Sequence, residues 1–274
     1  MNYIQKGNDI IIWQNDFNLD ETLDCGQAFR WRKIDSDFDC SYTGFFLNQP
    51  LTISTKDGQF IFHNTTEQDF LNIWMDYFDF KTDYSEIKKL LSRDKTLAKA
   101  CKFASGIRLL RQDSWEVLCS FIISQNNNIP RIKGIISRLC EHYQGFPTPQ
   151  ELANENIDSL SFLRAGFRAK YILDASRLVA SGELDLDKVA IMPIDDARKA
   201  LMTIKGVGPK VAECALLFGM YRTEAFPIDV WIKRVLEEYY PEGFPSFAKN
   251  ISGIAQQYLF HYIRNLEKST SQLV

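Results

Sequence analysis

The sequence predicts an α+β protein, in which a small twisted antiparallel β-sheet domain at the N-terminus precedes a mostly α-helical domain. Between residues 9 and 64, short apolar runs alternate with turn residues, whereas from Glu67 onward apolar residues recur at helical spacing. Residues 204–210 then join two short amphipathic segments through two glycines, a pattern typical of a helix-hairpin-helix. We therefore expect the helix-hairpin-helix to lie in the second domain.

The sheet domain is predicted from five apolar runs that are bounded by polar or turn residues. These runs are residues 10–13, 28–32, 42–46, 51–54 and 60–62. Asp57 and Gly58 form a typical hairpin turn between the last two runs. We place a soft boundary near residue 104, with the sheet and its flanking helices in residues 1–104 and the α-helical domain in residues 105–274.

The hairpin at residues 204–210 is the most informative stretch of the chain. Gly206 and Gly208 can adopt backbone angles that are closed to other residues, and Pro209 suits the first position of a helix. Amide N–H groups exposed at a helix N-terminus form a site for a phosphate oxygen that no side chain obstructs. The simpler interpretation is a tight connection between two helices.

Lys210 and Asp229 are the candidate catalytic residues. Lys210 stands in the first turn of the second helix of the hairpin, and an unprotonated lysine amine is a nucleophile. Asp229 precedes an amphipathic helix, so we expect its carboxylate to cap that helix. Judged from the residues alone, a surface lysine and a carboxylate that only caps a helix remain open alternatives.

Charge and cysteine content limit the class of protein. The formal net charge is -3, yet residues 91–180 carry 13 basic and 8 acidic side chains. A local basic face is therefore compatible with nucleic acid, because phosphate binding depends on where the charges lie. The six cysteines form no C-x-x-C pair, and none follows Cys214. This spacing excludes a disulfide scaffold and a zinc site, and it predicts no iron–sulfur cluster.

The sequence also gives expectations about location and assembly. Its first residues lack an apolar signal segment, and no apolar run approaches membrane-spanning length. We therefore expect an intracellular protein that is not secreted and has no membrane partner. It would be cytoplasmic or nucleoid-associated in a prokaryote and nuclear in a eukaryote, and we expect a monomer.

Residues 206–214, followed by Pro227, Ile228 and Asp229, resemble the helix-hairpin-helix-Gly/Pro…Asp signature of base-excision DNA glycosylases in its lysine-bearing form. From about residue 23 to residue 260, the chain is similar to 8-oxoguanine DNA glycosylase/AP lyases of the endonuclease III-like superfamily. This resemblance implies a helix-hairpin-helix glycosylase domain whose partner is double-stranded DNA. The implied enzyme flips out 8-oxoguanine paired with cytosine, excises it through a lysine imine and nicks the strand by β-elimination. No cofactor is required for this catalysis.

The resemblance assigns four residues to recognition of the damaged base. The carbonyl of Gly26 would accept the hydrogen that oxidation places on N7 of guanine, where normal guanine has a second acceptor instead. Cys214 and Phe260 would sandwich the base, and Gln256 would address its Watson–Crick edge. From the residues alone, Gly26 marks only a bulge or turn, and Cys214 is a small buried side chain.

A further group of residues is implied to act on the partner strand. Asn126 would fill the gap left by the flipped base and, with Arg131, hydrogen-bond the orphaned cytosine. Phe167 would wedge beside the base step, and Arg168 would contact the cytosine from its other side. The residue patterns alone also permit a core aromatic at Phe167 and a phosphate contact at Arg131.

The resemblance also implies contacts to the DNA backbone and to an ion. Gly206 and Gly208 would bind phosphate through their amides, and Trp231 stands where animal enzymes have a phosphate-supporting histidine. Related hairpins hold a structural cation, monovalent or divalent, on backbone carbonyls. The corresponding residues here are Met202, Ile204 and Val207.

Three other functions remain open on the sequence. A glycosylase of the same fold for an alkylated base is disfavoured by Gly26, by Gln256 and by the pairing of Asn126 with Arg131. A non-enzymatic helix-hairpin-helix DNA-binding protein would carry its lysine and aspartate incidentally. A metabolic enzyme that uses Lys210 for imine chemistry on a small carbonyl compound would show no affinity for DNA.

Overall fold

The computed structural model describes residues 2–271 of the chain, and the side chains of residues 2–266. Two compact units make up the structure. Unit 1 comprises Met1–Phe45, Gln49–Arg111 and Ile228–Val274, and unit 2 comprises Phe46–Asn48 and Gln112–Pro227. Unit 1 is therefore interrupted along the chain by unit 2. The boundary near residue 104 stays a prediction, and residues 272–274 of the predicted second domain lie outside the described residues.

An antiparallel sheet of six strands forms the base of unit 1. Its strands are β1 (Tyr3–Lys6), β2 (Asp9–Ile12), β3 (Arg32–Lys33), β4 (Cys40–Phe46), β5 (Gln49–Lys56) and β6 (Gln59–His63). They lie in the order β1-β2-β6-β5-β4-β3. Phe62 of β6 pairs with Ile10 of β2 on one side and with Ile53 of β5 on the other. All three apolar side chains are buried, so they lie on the core-facing side of the sheet. The predicted antiparallel sheet is thus confirmed.

One predicted strand is largely wrong. Residues 28–32 form a strand only at Arg32, where β3 begins. Ala28, Phe29 and Trp31 are nevertheless buried, so their apolar pattern reports burial without strand pairing. The segment is anchored by side chains instead, since Trp31 Nε1 donates to the hydroxyl of Tyr77 over 2.6 Å. A short apolar run does not distinguish these two cases in the sequence.

Short helices complete the first part of unit 1. They are α1 (Leu19–Leu23), α2 (Glu67–Asp69), a π-helical turn (Phe70–Trp74), α3 (Met75–Tyr77), α4 (Tyr84–Leu91) and α5 (Lys95–Phe103). The aromatic residues Phe70, Trp74 and Tyr77 are at most 2% exposed, so they belong to the core of unit 1.

Unit 2 is mostly helical from residue 114 to residue 219, and residues 220–227 form an irregular segment with one turn. Its elements are α6 (Ser114–Ser124), α7 (Ile129–Tyr143), α8 (Pro149–Ala153), a 3-10 turn (Ser159–Leu163), α9 (Arg168–Ala180), α10 (Leu186–Ile191), α11 (Ile194–Leu201), α12 (Pro209–Cys214) and a π-helical turn (Ala215–Gly219). Helix α6 is buried along most of its length, so the other helices pack around it. Helix α8 begins with a capping box at Thr148, which Glu151 closes from the third helical position.

After residue 227 the chain re-enters unit 1. It forms α13 (Val230–Tyr239), a 3-10 turn (Ser246–Ile251) and α14 (Ser252–Ser271). Helix α14 supplies a buried stretch from Ser252 to Leu259 to the core of unit 1. Within residues 2–271, no helix combines the length and the apolar character that crossing a membrane requires.

Candidate active site

The hairpin between α11 and α12 is held in one conformation by contacts inside unit 2. Gly206 has a φ of +79°, and a Cβ built on it would lie 2.4 Å from the ring of Tyr171. The amide of Lys205 donates to Oδ2 of Asp174 over 2.8 Å, and the amide of Val207 donates to the carbonyl of Ile204 over 3.1 Å. Only glycine fits at residue 206, because both the backbone angle and the ring exclude a side chain.

Helix α12 begins with unpaired amide groups. Gly208 is its N-cap and has no side chain that could accept a hydrogen bond from the first amides of the helix. Pro209 occupies the first helical position, as predicted. The amides of Gly208, Lys210 and Val211 donate no hydrogen bond within the described residues. A Cβ added at Gly208 would meet no atom within 4 Å, so no described atom occupies the space next to the Cα of this residue. This arrangement suits an approaching anion.

Lys210 lies half-buried in the first turn of α12. Its Nζ is 5.4 Å from the centroid of the Phe121 ring, which itself stacks on Phe218 at 5.1 Å. Its amine forms no hydrogen bond or ion pair in the part of the chain that the structure describes. Lys205 of the same hairpin differs, since its side chain is 81% exposed and pairs with Asp174 at 3.3 Å. Lys210 is therefore the hairpin lysine whose amine no carboxylate holds.

Asp229 belongs to unit 1 and caps α13, as the sequence predicted. Its Oδ1 accepts hydrogen bonds from the amides of Trp231, at 3.0 Å, and Ile232, at 2.8 Å. Both bonds use the same carboxylate oxygen, and Oδ2 accepts none from the described residues. Capping thus leaves half of the carboxylate available, so the cap and a catalytic role do not exclude each other.

The three consecutive asparagines after α6 have different roles. Asn127 donates from Nδ2 to the carbonyl of Ile123 over 3.2 Å at the end of α6, and Asn128 accepts from the amide of Arg131 over 3.0 Å as the N-cap of α7. Asn126 is exposed, has a φ of +48°, and its side chain forms no hydrogen bond among the described residues. Of the three, Asn126 is therefore the one whose side chain is not hydrogen-bonded within the described residues.

Arg168 clamps the backbone of this asparagine loop. Its guanidinium donates to the carbonyls of Gln125 at 2.8 Å, Asn126 at 2.8 Å and Ala165 at 3.2 Å, and the side chain is 3% exposed. Burial, followed by the positive charge of Arg131, lowers the pKa of Arg168. The predicted contact of Arg168 with a cytosine stays a prediction, since its donors are used here on carbonyls.

The neighbouring residues of unit 2 are accessible to a ligand. Phe167 is 46% exposed, directly after Gly166 with its φ of +61°, and its ring lies 5.7 Å from that of Tyr171. Arg131 is exposed and forms no ion pair within residues 2–266. Unit 2 thus brings together Asn126, Arg131 and the segment that presents Phe167 and Arg168.

The Gly26 segment of unit 1 is anchored by its neighbours. Gly26 has a φ of +93°, and Gln27 is buried beside it. Nε2 of Gln27 donates to the carbonyls of Thr22 at 2.9 Å and Arg108 at 2.8 Å, and Oε1 accepts from the amide of Leu110 at 3.0 Å. This role of Gln27 was not predicted from the sequence. A polar amide inside an apolar run was the available signal, because a buried amide needs partners.

Helix α14 carries the other candidate base-reading residues of unit 1. Gln256 is 4% exposed and its Oε1 accepts a hydrogen bond from Nε2 of Gln257 over 2.7 Å. Phe260 is half-buried, and the guanidinium of Arg264 lies 5.8 Å from its ring centroid. Cys214, predicted to contact the same base, is 2% exposed on α12 of unit 2.

Trp231 is predicted to contact a phosphate, and the carbonyls of Met202, Ile204 and Val207 are predicted to hold a cation. Trp231 is half-buried in the first turn of α13, with the guanidinium of Arg234 at 5.5 Å from its ring. Among the described residues, no group of three or more His, Cys, Asp or Glu side chains could hold a metal ion. The carbonyl of Ile204 already accepts the Val207 amide, which leaves one lone pair for a cation.

Comparisons with known proteins place the chain in a family. Residues 9–118 match the family model of the 8-oxoguanine DNA glycosylase N-terminal domain, and residues 119–246 match that of the HhH-GPD superfamily of base excision DNA repair proteins. The chain is similar to a probable N-glycosylase/DNA lyase of Methanothermobacter thermautotrophicus. The identity is 32% over an alignment of 295 residues, gaps included, and the alignment covers 91% of this chain and 94% of the relative.

Two solved structures are similar over nearly their whole length. One is MBOgg1 in complex with a low-affinity DNA ligand, with 42% identity, a TM-score of 0.88 and coverage of 97% of this chain and 99% of that chain. The other is the 8-oxoguanine glycosylase/lyase of Clostridium acetobutylicum in complex with DNA containing cytosine opposite 8-oxoguanine, with 36% identity, a TM-score of 0.88 and the same coverage. The chain belongs to the 8-oxoguanine DNA glycosylase/lyase family of the HhH-GPD superfamily.

Proposed function

We propose that this protein is a bifunctional DNA glycosylase/AP lyase that excises 8-oxoguanine opposite cytosine from duplex DNA. The observation that carries the proposal is the hairpin of unit 2. There, the half-buried amine of Lys210 lies over Phe121 without a carboxylate partner, beside the open amides of Gly208 and Val211. A family that uses a hairpin lysine as its nucleophile accounts for this combination.

DNA binding is assigned to the hairpin and to the exposed residues of unit 2. The amides at Gly206 and Gly208 would hold a phosphate, with Trp231 supporting a second contact. Flipping a base costs a few kcal/mol, which contacts made only in the flipped state must offset. Phe167 supplies an exposed aromatic surface for stacking, and Asn126 supplies an amide that the fold does not use.

The reaction begins when the unprotonated amine of Lys210 attacks C1′ of the flipped nucleotide. The bond from C1′ to N9 breaks, and the base leaves with the electron pair of that bond and takes up a proton. The C1′–O4′ bond then breaks and opens the sugar ring, O4′ takes up a proton that the lysine nitrogen loses, and this nitrogen and C1′ form an imine. Removal of a proton from C2′ then breaks the C3′–O bond and expels the 3′ phosphate. Water finally hydrolyses the imine and releases the lysine. Asp229 would stabilise the positive charge that develops on the sugar.

Specificity for the oxidised base is assigned to a small set of groups. The Gly26 carbonyl would accept the N7 hydrogen that only the oxidised base carries, and Gln256 would read the Watson–Crick edge. Cys214 and Phe260 would contact the faces of the base. Arg131 would read the cytosine that remains in the helix, since its guanidinium is exposed and not paired within the described residues.

Arg168 has two assigned roles that differ in timing. Before DNA binds, it holds the carbonyls of Gln125 and Asn126 and so shapes the asparagine loop. A contact with cytosine would require it to exchange at least one of these bonds.

Because Arg131 and Arg168 are both assigned to the cytosine, cleavage of 8-oxoguanine should be fastest opposite cytosine. Equal rates with all four opposite bases would refute the assignment of Arg131 and Arg168.

The remaining assignments concern ions and location. The carbonyls of Met202, Ile204 and Val207 form an oxygen-only donor set, which fits a structural monovalent or divalent cation at the hairpin. No cofactor takes part in the chemistry, and no iron–sulfur cluster is proposed. The enzyme is proposed to work as a monomer. Because its substrate is DNA, it is proposed to work in the compartment that holds the chromosome.

Borohydride trapping with 8-oxoguanine duplex tests the nucleophile. Wild-type protein should give a covalent adduct, and Lys210→Gln should give none. Lys205→Gln is the matched control, because it changes an exposed lysine of the same hairpin and should trap like the wild type. Absence of an adduct with the wild type, or an adduct with Lys210→Gln, would refute the proposal.

The same assay separates the other functions. A duplex that contains an alkylated base, run beside the 8-oxoguanine duplex, should give little or no cleavage. Preferred cleavage of the alkylated base would identify a different lesion specificity. Binding without cleavage of either duplex would identify a DNA-binding module, for which Lys210 and Asp229 are incidental.

A further inference from the structure

Two adjacent glutamines on α14 connect the candidate base-reading residues of unit 1. Nε2 of Gln257 donates to Oε1 of Gln256 over 2.7 Å. Oε1 of Gln257 lies 3.8 Å from Sγ of Cys25, which directly precedes Gly26. Both glutamines are 4% exposed and Cys25 is 2% exposed, so these contacts are shielded from water. Gln257 thus touches the side chain of one candidate reader and the neighbour of the other.

The hydrogen bond from Gln257 selects one orientation of the Gln256 amide. A glutamine amide can rotate about its last torsion so that oxygen and nitrogen exchange places, and the two orientations have similar intrinsic energies. With the donor of Gln257 at 2.7 Å, the reversed amide of Gln256 would bring two N–H groups face to face. Leaving such buried donors unpaired is unfavourable, so the oxygen of Gln256 stays directed at Gln257.

We propose that Gln257 is a positioning residue for damage recognition, which fixes the amide of Gln256 and couples it to the Gly26 segment. This inference rests on the proposed function, in which Gln256 reads the Watson–Crick edge of 8-oxoguanine and Gly26 reads its N7 hydrogen. That edge carries donors and an acceptor in a fixed order, so a reversed amide would face it with like groups. Fixing the amide in advance removes an ordering cost from base binding.

The thiol of Cys25 gives this network a direction. Its single hydrogen is shared between the carbonyl of Thr22 at 3.4 Å and Oε1 of Gln257 at 3.8 Å. Burial raises the pKa of the Cys25 thiol to about 11, so the thiol keeps its hydrogen at neutral pH. Donation therefore runs from Cys25 to Gln257 and from Gln257 to Gln256.

The test compares a duplex that has a base to read with one that has none. Gln257→Met removes the amide at similar length, and Gln257→Glu keeps an acceptor for Cys25 but offers no N–H to Gln256. Single-turnover excision from 8-oxoguanine:cytosine duplex gives the half-saturating protein concentration. Fluorescence anisotropy gives the Kd for a duplex that carries a tetrahydrofuran abasic analogue. Ser54→Ala is the control, because it removes a buried hydrogen bond to Ser41 and a partly buried one to His63 in the sheet of the same unit.

Positioning and purely structural roles predict different results. We expect both Gln257 variants to raise the half-saturating concentration on 8-oxoguanine about tenfold or more, and to change the Kd for the abasic duplex less than twofold, because that duplex offers nothing to Gln256. The control should change neither quantity. Equal losses on both duplexes would show a structural role only and would overturn the inference, as would unchanged binding of 8-oxoguanine.

Two further results keep the inference separate from the proposed function. If the wild type does not excise 8-oxoguanine, the proposed function fails, whatever Gln257 does. If neither Gln257 variant folds, hydrogen exchange of the side-chain amides in 15N-glutamine-labelled wild-type protein decides. Slow exchange at Gln257 supports the hydrogen bond, whereas exchange as fast as that of an exposed glutamine overturns the inference.

Discussion

The two hairpin glycines should respond to alanine in opposite ways. At residue 206 the φ of +79° is unfavourable for alanine by about 1–2 kcal/mol. The added Cβ would also lie 2.4–2.5 Å from three atoms of the Tyr171 ring, and such overpacking costs roughly 1–3 kcal/mol. We therefore expect Gly206→Ala to lower the free energy of unfolding by about 2–5 kcal/mol.

At Gly208 the same substitution should spare the fold and weaken DNA binding. Its φ of -98° and ψ of -178° are accessible to alanine, and the new Cβ would meet no atom within 4 Å. A more restricted unfolded chain and poorer capping oppose each other, so stability should change by less than about 1 kcal/mol. A methyl group in front of the amides would displace a phosphate, and hydrogen bonds to a charged group are worth about 1.5–3 kcal/mol. Binding should weaken by roughly 10- to 100-fold.

Urea denaturation and fluorescence anisotropy with abasic-analogue duplex measure these two quantities. Introducing Gly206→Ala into a Tyr171→Ala background removes the ring, so only the backbone cost of about 1–2 kcal/mol should remain. The reasoning is refuted if Gly206→Ala is as stable as the wild type, or if its cost is the same without the ring. A Gly208→Ala protein that unfolds easily but binds DNA normally would equally contradict it.

Further substitutions test the proposed roles of Asp229 and Phe167 and the effect of burial on Cys101. Asp229→Asn should keep the cap of α13 and lose most base excision, whereas Asp229→Ala should also lower stability by about 0.5–2 kcal/mol; full activity of the Asn variant would reduce Asp229 to a cap. Phe167→Ala should leave the urea midpoint nearly unchanged, because the ring is 46% exposed, but slow single-turnover excision at least tenfold, with Phe167→Tyr close to the wild type. Burial raises the pKa of the Cys101 thiol from 9.0 to about 12, so the unfolded chain loses this proton first and the free energy of unfolding should fall as pH rises from about 9 to 12; Cys101→Ala should flatten that fall in denaturation curves.

Local signals in the sequence were sufficient for the cap at Asp229 and for the hairpin. Asp229 accepts hydrogen bonds from the amides two and three residues further on, so its residue type and its position contain the whole interaction. The glycines of the hairpin were recognised for the same reason. The steric demand at Gly206 was not, because it comes from Tyr171, a residue 35 positions earlier that no local pattern connects to the hairpin.

Interactions between distant segments account for what the sequence did not reveal. Arg168 was predicted to face DNA, and its hold on the carbonyls of Gln125 and Asn126 depends on a loop about forty residues away. Gln27 and Gln257 were passed over because a polar amide in an apolar run indicates burial but does not identify the partners of that glutamine. Its partners, such as Leu110 for Gln27, lie on other elements. Buried amides are thus the class of functional candidate that sequence patterns identify least well.

The two candidate catalytic residues lie in different units of the structure. Lys210 and Asp229 are 19 residues apart, and the chain passes from unit 2 to unit 1 between Pro227 and Ile228. With the exceptions of Cys214, a proposed base contact in unit 2, and Trp231, a proposed phosphate contact in unit 1, unit 2 contains the proposed nucleophile, phosphate-binding amides and partner-strand residues, whereas unit 1 contains the proposed catalytic carboxylate and the proposed Gly26 and Gln256 readers. Strand handling and lesion identity are thus assigned to different sets of side chains, so substitutions in the two sets should affect binding of abasic DNA and discrimination of 8-oxoguanine independently. The Gln257 and Gly208 experiments, which use the same abasic duplex, measure this independence directly.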